Sequence, residues 1–177
     1  MKNLRFVIVL MAAILFAMPS LKAQDSSLGV RAGWQSALLS YDGETTDALS
    51  SFYVGVFKER KIVPLLHYGY GLEFAQMGGK DKDMDLEYKL GYIGIPVYAK
   101  AKVGPVYGLL GSGINVKISE TDDIYQDKAK GIDVPVYAGV GLNFLMLSIE
   151  ARYHWGLMEI QDQTKNQYLQ IGLGLSF

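Results

Sequence analysis

Residues 132–144 read Ile-Asp-Val-Pro-Val-Tyr-Ala-Gly-Val-Gly-Leu-Asn-Phe. From Ile132 every second position is apolar: Val134, Val136, Ala138, Val140, Leu142 and Phe144. Between them stand Asp133, Pro135, Tyr137, Gly139, Gly141 and Asn143. Successive side chains of a strand point to opposite faces, so this segment predicts a strand with one apolar face and one polar or small face. It is long for a strand, since soluble proteins average about 5–6 residues.

The period of two recurs on both sides. Downstream, Leu147, Ile149, Ala151, Tyr153 and Trp155 alternate with Ser148, Glu150, Arg152, His154 and Gly156. The final run sets Leu169, Ile171, Leu173, Leu175 and Phe177 against Tyr168, Gln170, Gly172, Gly174 and Ser176. Upstream, Val106–Ile118 places Leu110, Ile114, Val116 and Ile118 opposite Tyr107, Gly111, Gly113, Asn115 and Lys117. Leu66, Tyr68, Tyr70, Leu72 and Phe74 alternate with His67, Gly69, Gly71, Glu73 and Ala75. Phe52, Val54 and Val56 alternate with Tyr53, Gly55 and Phe57, and Leu28, Val30, Ala32 and Trp34 with Gly29, Arg31, Gly33 and Gln35. Leu86–Lys100 is apolar on both faces. There the phase is expected to slip between Leu90/Tyr92 and Ile93/Ile95/Val97, through a bulge near Gly91 or Gly94 or an irregular Pro96.

These runs make eight strands, most of them about 9–13 residues long, and a tilted strand crosses a bilayer in about 9–11. Their connections alternate in length. Long polar ones are expected at 37–50, 78–86, 119–130 and 157–166, and short ones at 59–64, 101–105 and 144–146. Outer-membrane barrels pair short periplasmic turns with longer extracellular loops. The expected architecture is all-β: an eight-stranded antiparallel up-and-down transmembrane barrel, apolar outside and polar inside. Aromatic residues near strand ends, Trp34 and Trp155 towards the loops and Phe144 and Phe177 towards the turns, fit an interfacial girdle.

The inward face then carries a polar cluster of Arg31, Glu73, Lys117, Asp133, Glu150 and Arg152, spaced by glycines that relieve crowding in a narrow lumen. Charges in so small a space must be paired or hydrated. Arg31, Glu73, Glu150 and Arg152 are expected to share hydrogen bonds. Lys117 is expected opposite Asp133, Gly113 opposite Tyr137, and Gly111 opposite Gly139.

The amino terminus carries Lys2 and Arg5, then an uncharged run from Phe6 to Met18, then Pro19, Ser20 and Ala23. This is the pattern of a secretory signal peptide, residues 1–23, cut before a barrel domain at 24–177. Cleavage removes Lys2, Arg5 and Lys22 and no acid, making the mature chain more acidic than the −1 of the 177-residue sequence. No basic surface points to nucleic acid. The absence of cysteine excludes disulfides and thiolate chemistry.

A soluble lipocalin-like barrel would show the same period with its apolar face turned inward; strand length, connection asymmetry and the terminal phenylalanine favour the membrane. Tyr92-Ile-Gly-Ile-Pro96-Val-Tyr-Ala-Lys100, Val106–Gly111, Asp133–Phe144 and Ile149–Leu157 together resemble the porin-family or PorT-like outer-membrane barrels of Bacteroidetes. The resemblance covers nearly all of 24–177. It implies an integral outer-membrane location, with outer-membrane lipid and, during biogenesis, the barrel-assembly machinery as partners. It also implies that the last strand, through Tyr168, Ile171, Leu173, Leu175 and Phe177, is the signal that machinery reads. Gly94 departs from the acidic residue many relatives carry there.

No motif points to catalysis, a cofactor or a metal. His67 and His154 are expected inside the barrel at opposite ends. His154 near Glu150, Glu159 and Asp162 admits a lipid acyl hydrolase, but it lacks a nearby serine. Gly111-Ser-Gly113 is no nucleophile elbow, and Gly139-Val-Gly141 is no dinucleotide fingerprint. Acids near the loops (Asp42, Glu44, Asp47, Asp81, Asp83, Asp85, Glu120, Asp122 and Asp123) lack a calcium-loop pattern. The leading expectation is a non-enzymatic barrel with a structural or loop-display role and an extracellular or envelope protein partner. The alternatives are an accessory barrel of a secretion or envelope-biogenesis system, a narrow solute pore and a lipid-modifying enzyme.

Overall fold

The computed structural model describes residues 26–41, 44–45, 47–81, 86–120, 131–161 and 164–177. The expected signal peptide lies outside them. Eight long strands follow one another: β1 Ser26–Tyr41, β2 Asp47–Val63, β3 Leu66–Asp81, β4 Leu86–Val103, β5 Val106–Glu120, β6 Pro135–Phe144, β7 Leu147–Gln161 and β8 Thr164–Ser176. Two-residue pieces, Glu44–Thr45 and Ile132–Asp133, extend the ladder beside β1 and β5.

Each strand pairs antiparallel with the next, and β8 returns to β1 from Gly29 opposite Ser176 to Tyr41 opposite Thr164. At the seam's end, Leu28 and Phe177 exchange backbone hydrogen bonds of 3.0 and 2.8 Å. The sheet is therefore a closed eight-stranded up-and-down barrel without an edge, which satisfies the ladder groups that lipid could not.

The wall is inside out relative to a soluble barrel. Leu110, Val140 and Leu173 are 69%, 64% and 60% exposed on its outer face, whereas Arg152 and Gln170 are 1% exposed inside. Glycine shapes the inner face. Gly69 lies opposite Tyr98, Gly111 opposite Tyr137, and Tyr107 opposite Gly141. A Cβ at any of these three glycines would overlap the facing tyrosine ring. Glycine leaves each ring room to lie over the facing strand.

Four sequence expectations are corrected. The ladder runs far into the expected long connections, since β1 reaches Tyr41, β3 Asp81, β5 Glu120 and β7 Gln161. The short turns are tighter than 59–64 and 101–105: each is two residues, Pro64–Leu65 and Gly104–Pro105, like Leu145–Met146. Gly104 and Leu145, each first in its turn, adopt the left-handed region, at φ 61° and 56°, as primed hairpin turns use, whereas Pro64–Leu65 reverses with neither residue there.

Third, β4 keeps its phase: Leu90, Tyr92, Pro96, Tyr98 and Lys100 all point inward, and Ile93, Ile95 and Val97 outward. The irregularity lies across the ladder. Gly91 faces Ser119 while Tyr92 faces Lys117, so Ile118 of β5 is the extra residue. The apolar look of both β4 faces came from large residues filling the lumen.

Fourth, β5 and β6 pair two residues away from the expected register. Asp133 faces Asn115, Gly111 faces Tyr137, and Leu109 faces Gly139. The backbone amide of Lys117 instead donates to Gly131 O at 2.8 Å. A slip of two preserves every face, so the alternation that reveals the strands cannot choose between these registers.

Candidate functional site in the barrel interior

Three polar layers fill the lumen. At mid-barrel, β1, β3 and β7 bring together Arg31, Glu73, Glu150 and Arg152. Arg31 Nε lies 3.2 Å from Glu73 Oε2, and Arg31 Nη1 lies 3.7 Å from Glu150 Oε1. Arg152 Nη2 lies 3.1 Å from Glu73 Oε2, and Arg152 Nε lies 3.0 Å from Glu150 Oε1. Two acids and two bases thus alternate in a closed ring.

Neighbours use the remaining lone pairs. Gln170 Nε2 donates to Glu73 Oε1 and to Gln35 Oε1, both at 2.8 Å. Tyr107 OH donates to Glu150 Oε2 at 2.8 Å. Aromatic faces cover the guanidiniums: Arg31 lies 5.0 Å from the Phe57 ring centroid and Arg152 lies 5.2 Å from that of Tyr53.

Towards the turns, Glu59 of β2 meets two lysines of β4. Lys100 Nζ donates to Glu59 Oε1, Lys102 Nζ lies 3.2 Å from Oε2, and Tyr98 OH donates to Oε1 at 3.0 Å. Lys100 also sits 4.2 Å from the Tyr107 ring centroid. His67, half-buried, pairs in register with Lys61 and Lys100 at this end. The sequence reading missed this layer, placing Glu59 and Lys102 in turns. The signal was available: Glu59 continues the parity of Tyr53, Gly55 and Phe57, and Lys100 that of Tyr98.

Towards the loops, Asp133 is wholly buried, and Asn166 Nδ2 donates to its Oδ2 at 3.2 Å. Asn115 Nδ2 donates to Tyr168 OH at 3.4 Å. His154 stacks between Tyr137 and Tyr168, with centroids 4.5 and 4.1 Å away. Ser112 donates to Pro135 O and Ser51 to Gln76 O. Sandwiched between two phenols, the imidazole is placed as packing. The Glu159 side chain and Asp162 lie outside the described residues, as do the side chains of the acids near the loops.

Of the six expected interior residues, the structure joins four in the ring. Asp133 is held by amides in another layer, and half-buried Lys117 lies towards the loop end of β5. Of the expected assembly-signal residues, Tyr168 points inward, whereas Ile171 and Leu173 face outward and Leu175 and Phe177 are partly exposed. Among the described residues, two small voids in the lumen measure about 20 and 10 Å³. Each has room for about one water at most. Among the described residues no cluster of histidine, aspartate or glutamate is placed to hold a metal.

The outer membrane protein beta-barrel domain family matches residues 8–177. Among solved structures, the chain is similar to Ail, the attachment invasion locus protein of Yersinia pestis, in complex with the heparin analogue sucrose octasulfate. That likeness has 16% identity and a TM-score of 0.58 over 87% of this chain and all of that one. Neisserial surface protein A is similar with the same figures. Ail in a phospholipid bilayer nanodisc has 14% identity and a TM-score of 0.55, over 86% of this chain and 99% of that one. No curated protein matches. An inside-out barrel wall and a family model spanning nearly the whole sequence agree: the chain belongs to the outer membrane β-barrel domain family and is an integral outer-membrane protein.

Proposed function

We propose that this is a non-enzymatic barrel that displays its loop-end segments outside the cell and binds an extracellular or envelope partner there. The observation that carries the reading is the packed lumen. Among the described residues a ring of four charges with water-sized voids fills the lumen, which argues against a solute route, and His154 is stacked between two tyrosines. What remains for function is the loop end, where the long strands carry the ladder into the expected connections. Ail, crystallised with a sulfated sugar analogue, is a barrel of similar fold with a bound ligand. In this chain acids outnumber bases in each of the four loop-end segments, so a neutral or cationic partner suits them better than a polyanion.

In this reading residues 1–23 are a cleaved signal peptide, both termini and the two-residue turns are periplasmic, and the last strand is the segment recognised by the assembly machinery. The sequence resemblance to PorT-like Bacteroidetes barrels supports a second role, as an accessory of secretion or envelope biogenesis.

The chain has no cysteine, so single cysteines report topology cleanly. Asp123→Cys, near the centre of a loop-end segment, should react with a membrane-impermeant maleimide on intact cells. Met146→Cys, in a turn, should react only after the outer membrane is opened. Labelling of Met146→Cys on intact cells sinks the orientation. Steady conductance through the purified barrel in planar bilayers sinks the closed lumen.

A further inference from the structure

The outer wall carries one feature that its apolar band does not require. From mid-barrel to the turns, the outward positions of seven strands are uncharged. On β2 the outward series Val54, Val56 continues into Lys58 and Arg60. Lys58 lies in register between Leu28 of β1 and Tyr70 of β3, and Arg60 between Ser26 and Tyr68. Among the described residues neither cation makes an ion pair.

Directly along the same strand lies an open apolar furrow of about 300 Å³. Its floor is the short side chains Val54 and Val56, Val30 lines one side, and Leu72, Phe74 and Ile93 line the other. The Phe52–Phe74 ring pair, at 5.9 Å, stands at the loop side. On the turn side the furrow ends at Val56, and Lys58 lies one outward step, about 7 Å, beyond it. Tyr68 and Tyr70, stacked at 6.5 Å, flank the two cations. Aromatic rings of this kind sit at the headgroup level of a membrane.

We propose that this face of β1–β3 holds one anionic phospholipid of the leaflet at the turn end. An acyl chain lies in the furrow, and the headgroup phosphate is bound by Lys58 and Arg60. A furrow in lipid is filled by a chain whatever its headgroup; the paired cations select a lipid with net negative charge. Each basic side chain near a headgroup surface adds attraction for an anion, and the two act on the same phosphate. The proposal rests on the membrane reading but not on which end faces the periplasm.

The test uses the folded barrel in nonionic detergent, titrated with phosphatidylglycerol or phosphatidylcholine of matched chains. Bound lipid is counted by native mass spectrometry, and folding of each variant is checked by heat-shifted gel mobility. The wild type should retain phosphatidylglycerol about tenfold better than phosphatidylcholine. Lys58→Gln with Arg60→Gln should bring that ratio near one, and either single change should lower it about threefold if the double variant does not fold. Lys61→Gln removes a neighbouring cation of the opposite parity and should leave the ratio unchanged. Val56→Trp fills the furrow and should weaken both lipids alike. Equal retention of the two lipids by the wild type, or an equal loss from Lys61→Gln, overturns the site. A wild-type barrel that never inserts into vesicles overturns the membrane reading with it, and the two failures are distinguished by that insertion assay.

Discussion

The mid-barrel ring and the turn-end layer use the same chemistry with opposite balance. In the ring, Arg31, Glu73, Glu150 and Arg152 are all buried, and two acids match two bases. At the turn end, one acid serves two lysines, and the Lys102 side chain is 26% exposed. A buried charge without a partner keeps its full desolvation cost, whereas one near the mouth recovers hydration. The ring must therefore be neutral as a unit, while the mouth tolerates an excess of positive charge.

The largest effect is expected at Glu73, which accepts from Arg152 and Gln170 and forms an ion pair with Arg31. Glu73→Gln leaves two buried guanidiniums facing one remaining carboxylate. It should cost about 3–5 kcal/mol of folding free energy, by denaturant titration in phospholipid vesicles. Adding Arg152→Gln restores the charge balance and should cost less than the sum of the two single changes. Additive losses would show that the four residues do not act as a ring.

Both layers are interior only if lipid lies on the other side of the wall. Leu173 faces outward near the middle of β8, and Gln170 faces inward three residues away. Leu173→Arg should lose about 2–4 kcal/mol in vesicles, the cost of a cation at mid-bilayer. Gln170→Arg enters a polar space and should lose less, although it adds a third cation beside the ring. Equal losses would remove the distinction between wall and lumen.

How much of this was legible in the sequence follows from what a period of two encodes. It fixes which residues share a face, and so the alternation alone groups Arg31, Glu73, Glu150 and Arg152. It does not fix register in steps of two, and so it points Asp133 at Lys117 when Asn115 faces it. Strand ends were the weakest reading. Glu59 and Lys102 were placed in turns because charge near Gly and Pro reads as loop, yet the ladder carries both into the lumen. β4 misled for a different cause. The lumen of a small barrel is filled by large side chains, so Leu90, Tyr92 and Tyr98 make an inward face look like an outward one. The function of the loop end was least legible, since nothing in its composition names a partner.

Gly111 sharpens the link between register and packing. Its position opposite Tyr137 leaves no room for a Cβ. Gly111→Ala should cost about 1–3 kcal/mol in the same titration, through overpacking. Tyr137→Leu should recover only part of that loss in the double variant, because the methyl group meets both the ring and the Val97 carbonyl oxygen. Gly113→Ala has no tyrosine opposite, since Gly113 faces Pro96 on β4 and lies beyond Gly111 on β5. Its Cβ would instead meet the backbone of Ile95 and Pro96, so no rescue by Tyr137→Leu is expected. A rescue of Gly113→Ala would restore the register read from sequence.

The smallest effect separates the two lysines of the turn-end layer. Both reach Glu59, but Lys100 is buried against the Tyr107 ring and Lys102 stands at the mouth. Lys102→Gln leaves Glu59 paired with Lys100 and bonded by Tyr98, so the acid stays satisfied. The lost ion pair is partly hydrated, and such pairs contribute about 0–1 kcal/mol. Lys102→Gln should therefore cost less than about 1 kcal/mol, and the cost should shrink further in high salt. Lys100→Gln removes a buried partner of a buried carboxylate, and its larger cost should persist in salt because interior pairs are poorly screened. The measurement is the difference between the two variants at low and high salt, in the vesicle titration used for Glu73. If Lys102→Gln costs as much as Lys100→Gln at both salt concentrations, the mouth is as dry as the mid-barrel ring, and the contrast in charge balance has no basis in hydration.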